Sequence, residues 1–113
     1  MRATTRVAVL GASGYAGGEL VRLLAAHRHA QVTLLGAKDS AGKTLAEVHP
    51  HLASLPIAGQ TLAPIDASAV TEAADVAFCA LPNGTSATLV PALLEAGVRV
   101  IDLAGDFRLH AED

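Results

Sequence analysis

The sequence predicts a doubly wound α/β fold built on a parallel sheet, and three observations carry that prediction. Short apolar, β-branched runs alternate with stretches of helical period, the order that builds β-α-β units with right-handed crossovers. The first run, Val7-Ala8-Val9-Leu10, breaks into glycines spaced three apart, Gly11, Gly14 and Gly17, and then enters a helical pattern. The clearest later run, around Val76-Ala77-Phe78-Cys79, is continuously apolar, as a strand buried on both faces is.

Composition bounds the reading. A length of 113 residues allows one domain and one core, too little for a typical two-domain enzyme. Hydrophobic residues make up 51% and aromatics only 3%, so Ala, Val and Leu fill the core, which suits a parallel sheet under alanine-rich helices. A formal net charge of −3 without a basic run argues against a nucleic-acid partner, whose phosphates need a clustered positive face. No stretch reaches the length of a membrane span, and the first apolar run ends at Gly11, too soon for a secretory signal. Cys79 is the only cysteine, so no internal disulfide forms and a reducing, cytoplasmic setting is expected.

The elements follow in order. Leu20, Val21, Leu23, Leu24 and Ala25 share one helical face, and His27-Arg28-His29 closes that helix with cations that its C-terminal dipole favours. Residues 31–35 form a second strand. The stretch 44–55 is expected as a loop; His49 and His51 flank Pro50 there but lack the third ligand that zinc needs. Residues 59–64 read as a short strand, and 66–74 as a short helix capped by Asp66 or Ser68. Residues 75–81 are a strand stopped by Pro82-Asn83-Gly84. Thr85 or Ser86 then caps a helix reaching Gly97, with Pro91 either tolerated early or marking a kink. Residues 98–103 are the last strand.

Ligands of such sheets lie outside the carboxyl ends of the strands, which gathers loops 11–17, 81–84 and 104–108. The three glycines permit a sharp turn, close approach of a pyrophosphate and tight packing of the next helix, with the negative charge on N–H groups at the helix start. The spacing is G-x-x-G-x-x-G, not the commoner G-x-G-x-x-G, and Ser13 adds a hydroxyl donor. No acidic residue ends the second strand to hold a ribose 2′-hydroxyl. Lys38, Ser40 and Lys43 follow instead, two ammonium groups and a hydroxyl suited to a 2′-phosphate, so NADP is expected over NAD. Leu81, Pro82, Asn83, Gly84 and Ser86 complete the expected cofactor set, Asn83 and Ser86 with turn and cap roles as alternatives. Arg108, beside Asp106, stands where a guanidinium holds an anionic substrate group or simply ties the loop. Cys79 is expected in the core, mid-strand, and not as a nucleophile.

Three segments, Gly11-Ala12-Ser13-Gly14-Tyr15-Ala16-Gly17-Gly18-Glu19-Leu20, Leu81-Pro82-Asn83-Gly84 and Gly105-Asp106-Phe107-Arg108-Leu109, together resemble the N-terminal part of the N-acetyl-γ-glutamyl-phosphate reductase family. The similarity spans nearly the whole chain, with residues 43–74 adding least. The resemblance implies a Rossmann-like NADP-binding domain over residues 1–113, incomplete as a fragment. It also implies a whole protein that reduces N-acetyl-γ-glutamyl phosphate with NADPH to N-acetylglutamate semialdehyde and phosphate, through a cysteine thioester. Gly11, Ser13, Gly14, Tyr15 and Ala16 would contact the pyrophosphate, and Arg108 the substrate phosphate.

The family's nucleophile lies in a Gly-Cys-Tyr-Pro segment and its histidine later still. Neither motif occurs in these residues, and Cys79 does not match, so no catalytic residue and no metal site is expected within them. The resemblance further implies a small acyl-phosphate or semialdehyde substrate and a homo-oligomer, with no nucleic-acid or membrane partner. Two alternatives stand beside it: the lysine-biosynthesis reductase acting on a carrier-linked aminoadipyl phosphate, and a non-catalytic NADP-sensing module. Aspartate-semialdehyde dehydrogenase shares the chemistry, but its glycine turn more often carries Thr and Val where Ser13 and Ala16 stand.

Overall fold

The computed structural model describes residues 4–81 and 85–103. Among them, four strands form one all-parallel sheet in the order β2-β1-β3-β4. These are β1 (Thr5–Leu10), β2 (Ala30–Gly36), β3 (Val76–Cys79) and β4 (Arg99–Asp102). Helix α1 (Tyr15–Ala25) joins β1 to β2, α2 (Leu45–Val48) and α3 (Ala67–Ala73) lie between β2 and β3, and α4 (Thr85–Glu95) joins β3 to β4. From β1 the chain goes first to one side and then to the other, so the strand order reverses between β1 and β3.

Alternation along β1 divides the core in two. Val7 and Val9 face a cluster with Val21 of α1, Leu45 of α2, Leu35, Leu52 and Leu62. Ala8 and Leu10 face the opposite cluster, with Val70 of α3, Leu93 of α4, Ala77 and Cys79. The sheet is therefore covered on both faces, the doubly wound architecture expected. Full burial of a side chain such as Val9 or Val21 contributes about 1.5–3 kcal/mol, and small residues, Ala8, Ala12 and Ala77, let the layers approach.

One irregularity keeps β2 in phase with both layers. Val7 pairs with Val32 but Ala8 with Leu34, leaving Thr33 as the extra residue of a bulge. Leu34 then turns to the second cluster while Val32 and Leu35 both serve the first. The Thr33 hydroxyl donates to the Ala73 carbonyl at 2.7 Å and lies 3.3 Å from that of Val7, which ties the bulge to the end of α3.

Several boundaries depart from the expectation. Helix α1 ends at Ala25, with Ala26 as C-cap, so His27-Arg28-His29 forms the turn into β2 and not the helix end. The His29 N–H donates to His27 Nδ1 at 3.1 Å and closes that turn. Residues 59–64 are not a strand. A 3-10 turn, Pro56–Gly59, precedes single bridges from Thr61 to Thr44 and from Ala63 to Gly36. The segment divides its bonds between two partners, the Leu62 N–H reaching the Lys43 carbonyl at 2.8 Å and the Ala63 N–H that of Leu35 at 2.7 Å, and each pairing is a single rung.

The stretch 44–55, expected as a loop, contains α2 and a 3-10 turn, Pro50–Leu52. Thr44 and Glu47 form a complete capping box at α2: the Thr44 hydroxyl accepts the Glu47 N–H at 3.3 Å and the Glu47 carboxylate accepts the Thr44 N–H at 2.8 Å. Asp66 caps α3 by accepting the Ala69 N–H at 3.0 Å, which decides between the two caps expected there. Helix α4 starts at Thr85 and carries Pro91 in its second turn, without the N–H an interior helical residue donates. The caps expected from Thr85 or Ser86 involve side chains outside the described residues.

At the amino edge of the sheet, the Arg6 guanidinium meets the Asp75 carboxylate at 3.0 Å, and the Arg6 backbone N–H reaches the same carboxylate at 3.1 Å. The Asp75 N–H returns a bond to the Arg6 carbonyl at 2.8 Å. The amino ends of the neighbouring strands β1 and β3 are thus tied together, and the carboxyl edge is left for the site.

Candidate functional site

Where β1 leaves the sheet, Gly11 adopts φ +93°, a conformation that L side chains rarely take. The N–H groups of Gly11 and Ala12 both reach the Gly36 carbonyl, at 2.8 and 2.9 Å, and the Gly14 N–H closes the turn on Gly11 O at 3.1 Å. Helix α1 begins at once, its first backbone bond running from the Gly18 N–H to Gly14 O at 2.9 Å. The N–H groups of Tyr15, Ala16 and Gly17 precede that bond and have no intrahelical acceptor. Gly14 is the N-cap and offers no side chain to satisfy them. This helix end is open to an anion.

The three glycines have different reasons for being glycine. A Cβ on Gly11 would lie 2.6 Å from the Ala80 carbonyl oxygen, and one on Gly17 would strike the carbonyl of Gly11. Both are fixed by the protein's own packing of strand, turn and helix. A Cβ on Gly14 would meet only Gly11 O, at 3.5 Å, an ordinary contact. Gly14 faces outward, and its missing side chain clears the mouth of the turn.

Between β1 and β3, at the reversal of strand order, opens a cleft of about 520 Å³. Gly11, Ser13 and Gly14 form one wall, Lys38, Asp39 and Ser40 the second, and Ala80 with Leu81 the third. A neighbouring cleft of about 490 Å³ is walled by Ala37, Pro64, Ile65, Ala67 and Leu89, and Lys38 borders both. The two clefts share Lys38, and the first carries the hydroxyl and carboxylate residues Ser13, Ser40 and Asp39.

Of the residues singled out from the sequence, Gly11, Ser13, Gly14, Lys38, Ser40 and Leu81 line the first cleft together. Tyr15, 92% exposed, and Ala16 stand beside it in the first turn of α1. Lys43 is not in the lining. Gly42, at φ +98°, turns the chain away, and the Lys43 carbonyl is held by the Leu62 N–H at 2.8 Å. Pro82, Asn83, Gly84, Asp106 and Arg108 lie outside the described residues, as does the side chain of Ser86, whose backbone is in α4.

Two residues escape the sequence reading. Asp39 puts a carboxylate into the cleft wall between Lys38 and Ser40; attention to the last residue of β2 passes over it by three positions. His49 is buried beneath the glycine turn, its Nε2 2.8 Å from the carbonyl oxygen of Ala12. Local spacing holds no signal for that contact, since the partners are 37 residues apart. Cys79 sits in the core with no exposure. Burial, followed by the charge of Asp102, pushes its thiol up to about 11, so it stays protonated and unreactive near neutral pH.

A family model described as the semialdehyde dehydrogenase NAD-binding domain matches residues 6–112. The chain belongs to this family. N-acetyl-gamma-glutamyl-phosphate reductase from Magnetococcus marinus is 46% identical over 114 residues, which cover all of this chain and 32% of the relative. The Brevibacillus brevis enzyme of the same name is 49% identical over 104 residues, 92% of this chain and 30% of its own. That of Acidothermus cellulolyticus is 50% identical over 105 residues, 93% of this chain and 29% of its own. The chain thus spans about a third of the length of the relatives it matches.

Among solved structures, aspartate semialdehyde dehydrogenase with NADP from Candida albicans superposes with a TM-score of 0.81 at 25% identity, covering 94% of this chain and 31% of that one. As a semialdehyde dehydrogenase NAD-binding domain, the chain takes a nicotinamide dinucleotide, and the strand-order reversal is where such folds hold it. No helix among the described residues is long and apolar enough to cross a membrane.

Proposed function

We propose that this chain is the NADP-binding module of an N-acetyl-γ-glutamyl-phosphate reductase. The observation that carries the reading is the open α1 N-terminus at the strand-order reversal, in a chain 46–50% identical to reductases of that name. The N–H groups of Tyr15, Ala16 and Gly17 hold the pyrophosphate, with the Ser13 hydroxyl as a further donor. Gly14, which the protein's own packing leaves free to carry a side chain, is glycine so that the dinucleotide can approach the backbone.

The apolar cleft of Ala37, Pro64, Ile65 and Leu89 takes the adenine. Lys38, which borders both clefts, and Ser40 meet the 2′-phosphate, while the Asp39 carboxylate accepts from a ribose hydroxyl. Leu81, Pro82, Asn83, Gly84 and Ser86 complete the cofactor wall, and Arg108 binds the phosphate of the substrate. Bound NADPH supplies the hydride. The nucleophilic cysteine and the acid-base histidine are supplied from outside residues 1–113, since Cys79 is buried and protonated. A cytoplasmic homo-oligomer acting on a small acyl phosphate is part of the same reading.

The test follows NADPH formation by the polypeptide as encoded, from NADP and N-acetylglutamate semialdehyde, with and without inorganic phosphate and with aspartate semialdehyde as control. Phosphate-dependent turnover of the acetylated substrate alone is expected. Absence of turnover with NADPH still bound would overturn the assignment in favour of the carrier-linked aminoadipyl reductase or a sensing module.

A further inference from the structure

His49 is the buried polar side chain among the described residues, 8% exposed, and it sits where the glycine turn meets α1. Its Nε2 lies 2.8 Å from the Ala12 carbonyl oxygen. A carbonyl only accepts, so this nitrogen carries the hydrogen and donates. The ring also rests on Gly18: a Cβ there would come within 2.6 Å of ring atoms Cε1 and Nε2. The histidine is delivered by a well-anchored segment. The capping box of α2 precedes it, its own N–H donates to Leu45 O at 2.8 Å, its carbonyl accepts the Leu52 N–H at 2.9 Å, and Leu45 and Leu52 are in the core.

The consequence falls on the cleft. Ala12 donates its N–H to Gly36 and accepts from His49, so both its polar backbone groups are used inside the protein. The carbonyl it would otherwise offer to the cleft, which would repel a phosphate, is turned inward. In the first turn that follows, Tyr15 and Ala16 are exposed and Gly17 is buried.

We infer that His49 is a positioning residue for the dinucleotide: through Ala12 and Gly18 it holds the glycine turn with its N–H groups toward the pyrophosphate, without touching the ligand itself. This rests on the cofactor reading above. The test is a fluorescence titration of the polypeptide as encoded with NADPH, alongside competition by 2′-AMP, which carries adenine, ribose and 2′-phosphate but no pyrophosphate. His49→Leu fills the ring's space without a donor, and His49→Gln restores an N–H of similar reach.

We expect His49→Leu to raise the Kd for NADPH about tenfold with the 2′-AMP affinity unchanged, and His49→Gln to stay within about twofold of wild type on the same scale. Should His49→Leu fail to fold, Gly18→Ala serves the same purpose. Its methyl displaces the ring from Ala12 while favouring the helix, and the same selective loss of NADPH is expected. Unchanged NADPH affinity in the variants, or parallel loss of both ligands as a loosened domain would give, would overturn the inference. Failure of the wild type itself to bind NADPH would instead count against the cofactor reading.

Discussion

Gly17 is the residue at which α1 closes on the turn before it. A Cβ there strikes the backbone carbonyl of Gly11, which no rotamer change can relieve. Gly17→Ala is expected to cost about 2 kcal/mol net in urea unfolding, overpacking of up to about 3 kcal/mol exceeding the roughly 1 kcal/mol gained in helix propensity. In the cleft wall, Lys38→Ala should weaken NADPH about tenfold and NADH little, by removing a charge-assisted bond to the 2′-phosphate. Asp39→Asn should weaken NADH more than NADPH, because the weakened bond to a ribose hydroxyl is offset for NADPH by the loss of a like charge beside its 2′-phosphate. Parallel titrations with the two nucleotides check both. That Gly11, Ser13, Gly14 and Lys38 would gather at the carboxyl end of the sheet was legible in the sequence, because a strand followed by a turn is a local pattern. His49 was not, because its meaning lies in a carbonyl brought to it by tertiary packing, and residues 43–74 offer little repeated pattern to announce it.

At the scale of the elements, local signals worked wherever a pattern was longer than a few residues. β1 and α1 declared themselves through apolar runs and period, and Asp66 through its place before a helical stretch. Asp66→Ala should destabilise the protein by about 1 kcal/mol in chemical denaturation, through loss of the bond that accepts the Ala69 N–H. The capping box of α2 was also present as Thr44-x-x-Glu47, a signal that the short helix behind it made easy to pass over. Residues 59–64 misled because a short segment does not show that its pairing is divided between two partners, one bridge to each. The bulge at Thr33 was equally silent, since only the pairing with β1 makes one residue of β2 extra.

For the whole molecule, the amino edge is held and the carboxyl edge binds. The Arg6 guanidinium, by donating to the Asp75 carboxylate, and the Arg6 backbone N–H hold that carboxyl below its ordinary pKa. A group lowered on folding contributes stability that is fully present above its unfolded pKa and is lost as pH falls through the folded one. The difference in thermal midpoint between wild type and Asp75→Asn should therefore be constant near neutrality and shrink in acid. It should be modest, because both partners are about half exposed. The parallel strands and the covering of both faces were legible from the alternation of strands and helices; the strand order was not. The two-part cleft was not, because its apolar half is assembled from Ala37, Pro64, Ile65 and Leu89, residues that no motif connects.

The open end of α1 is expected to hold a nicotinamide dinucleotide. A crystal structure of the polypeptide as encoded, grown with NADPH, tests it most directly. Pyrophosphate oxygens are expected within hydrogen-bonding distance of the Tyr15, Ala16 and Gly17 N–H groups, with the 2′-phosphate beside Lys38 and Ser40 and the adenine against Ile65. A dinucleotide bound elsewhere, or bound here with its phosphates away from the first turn of α1, would contradict it.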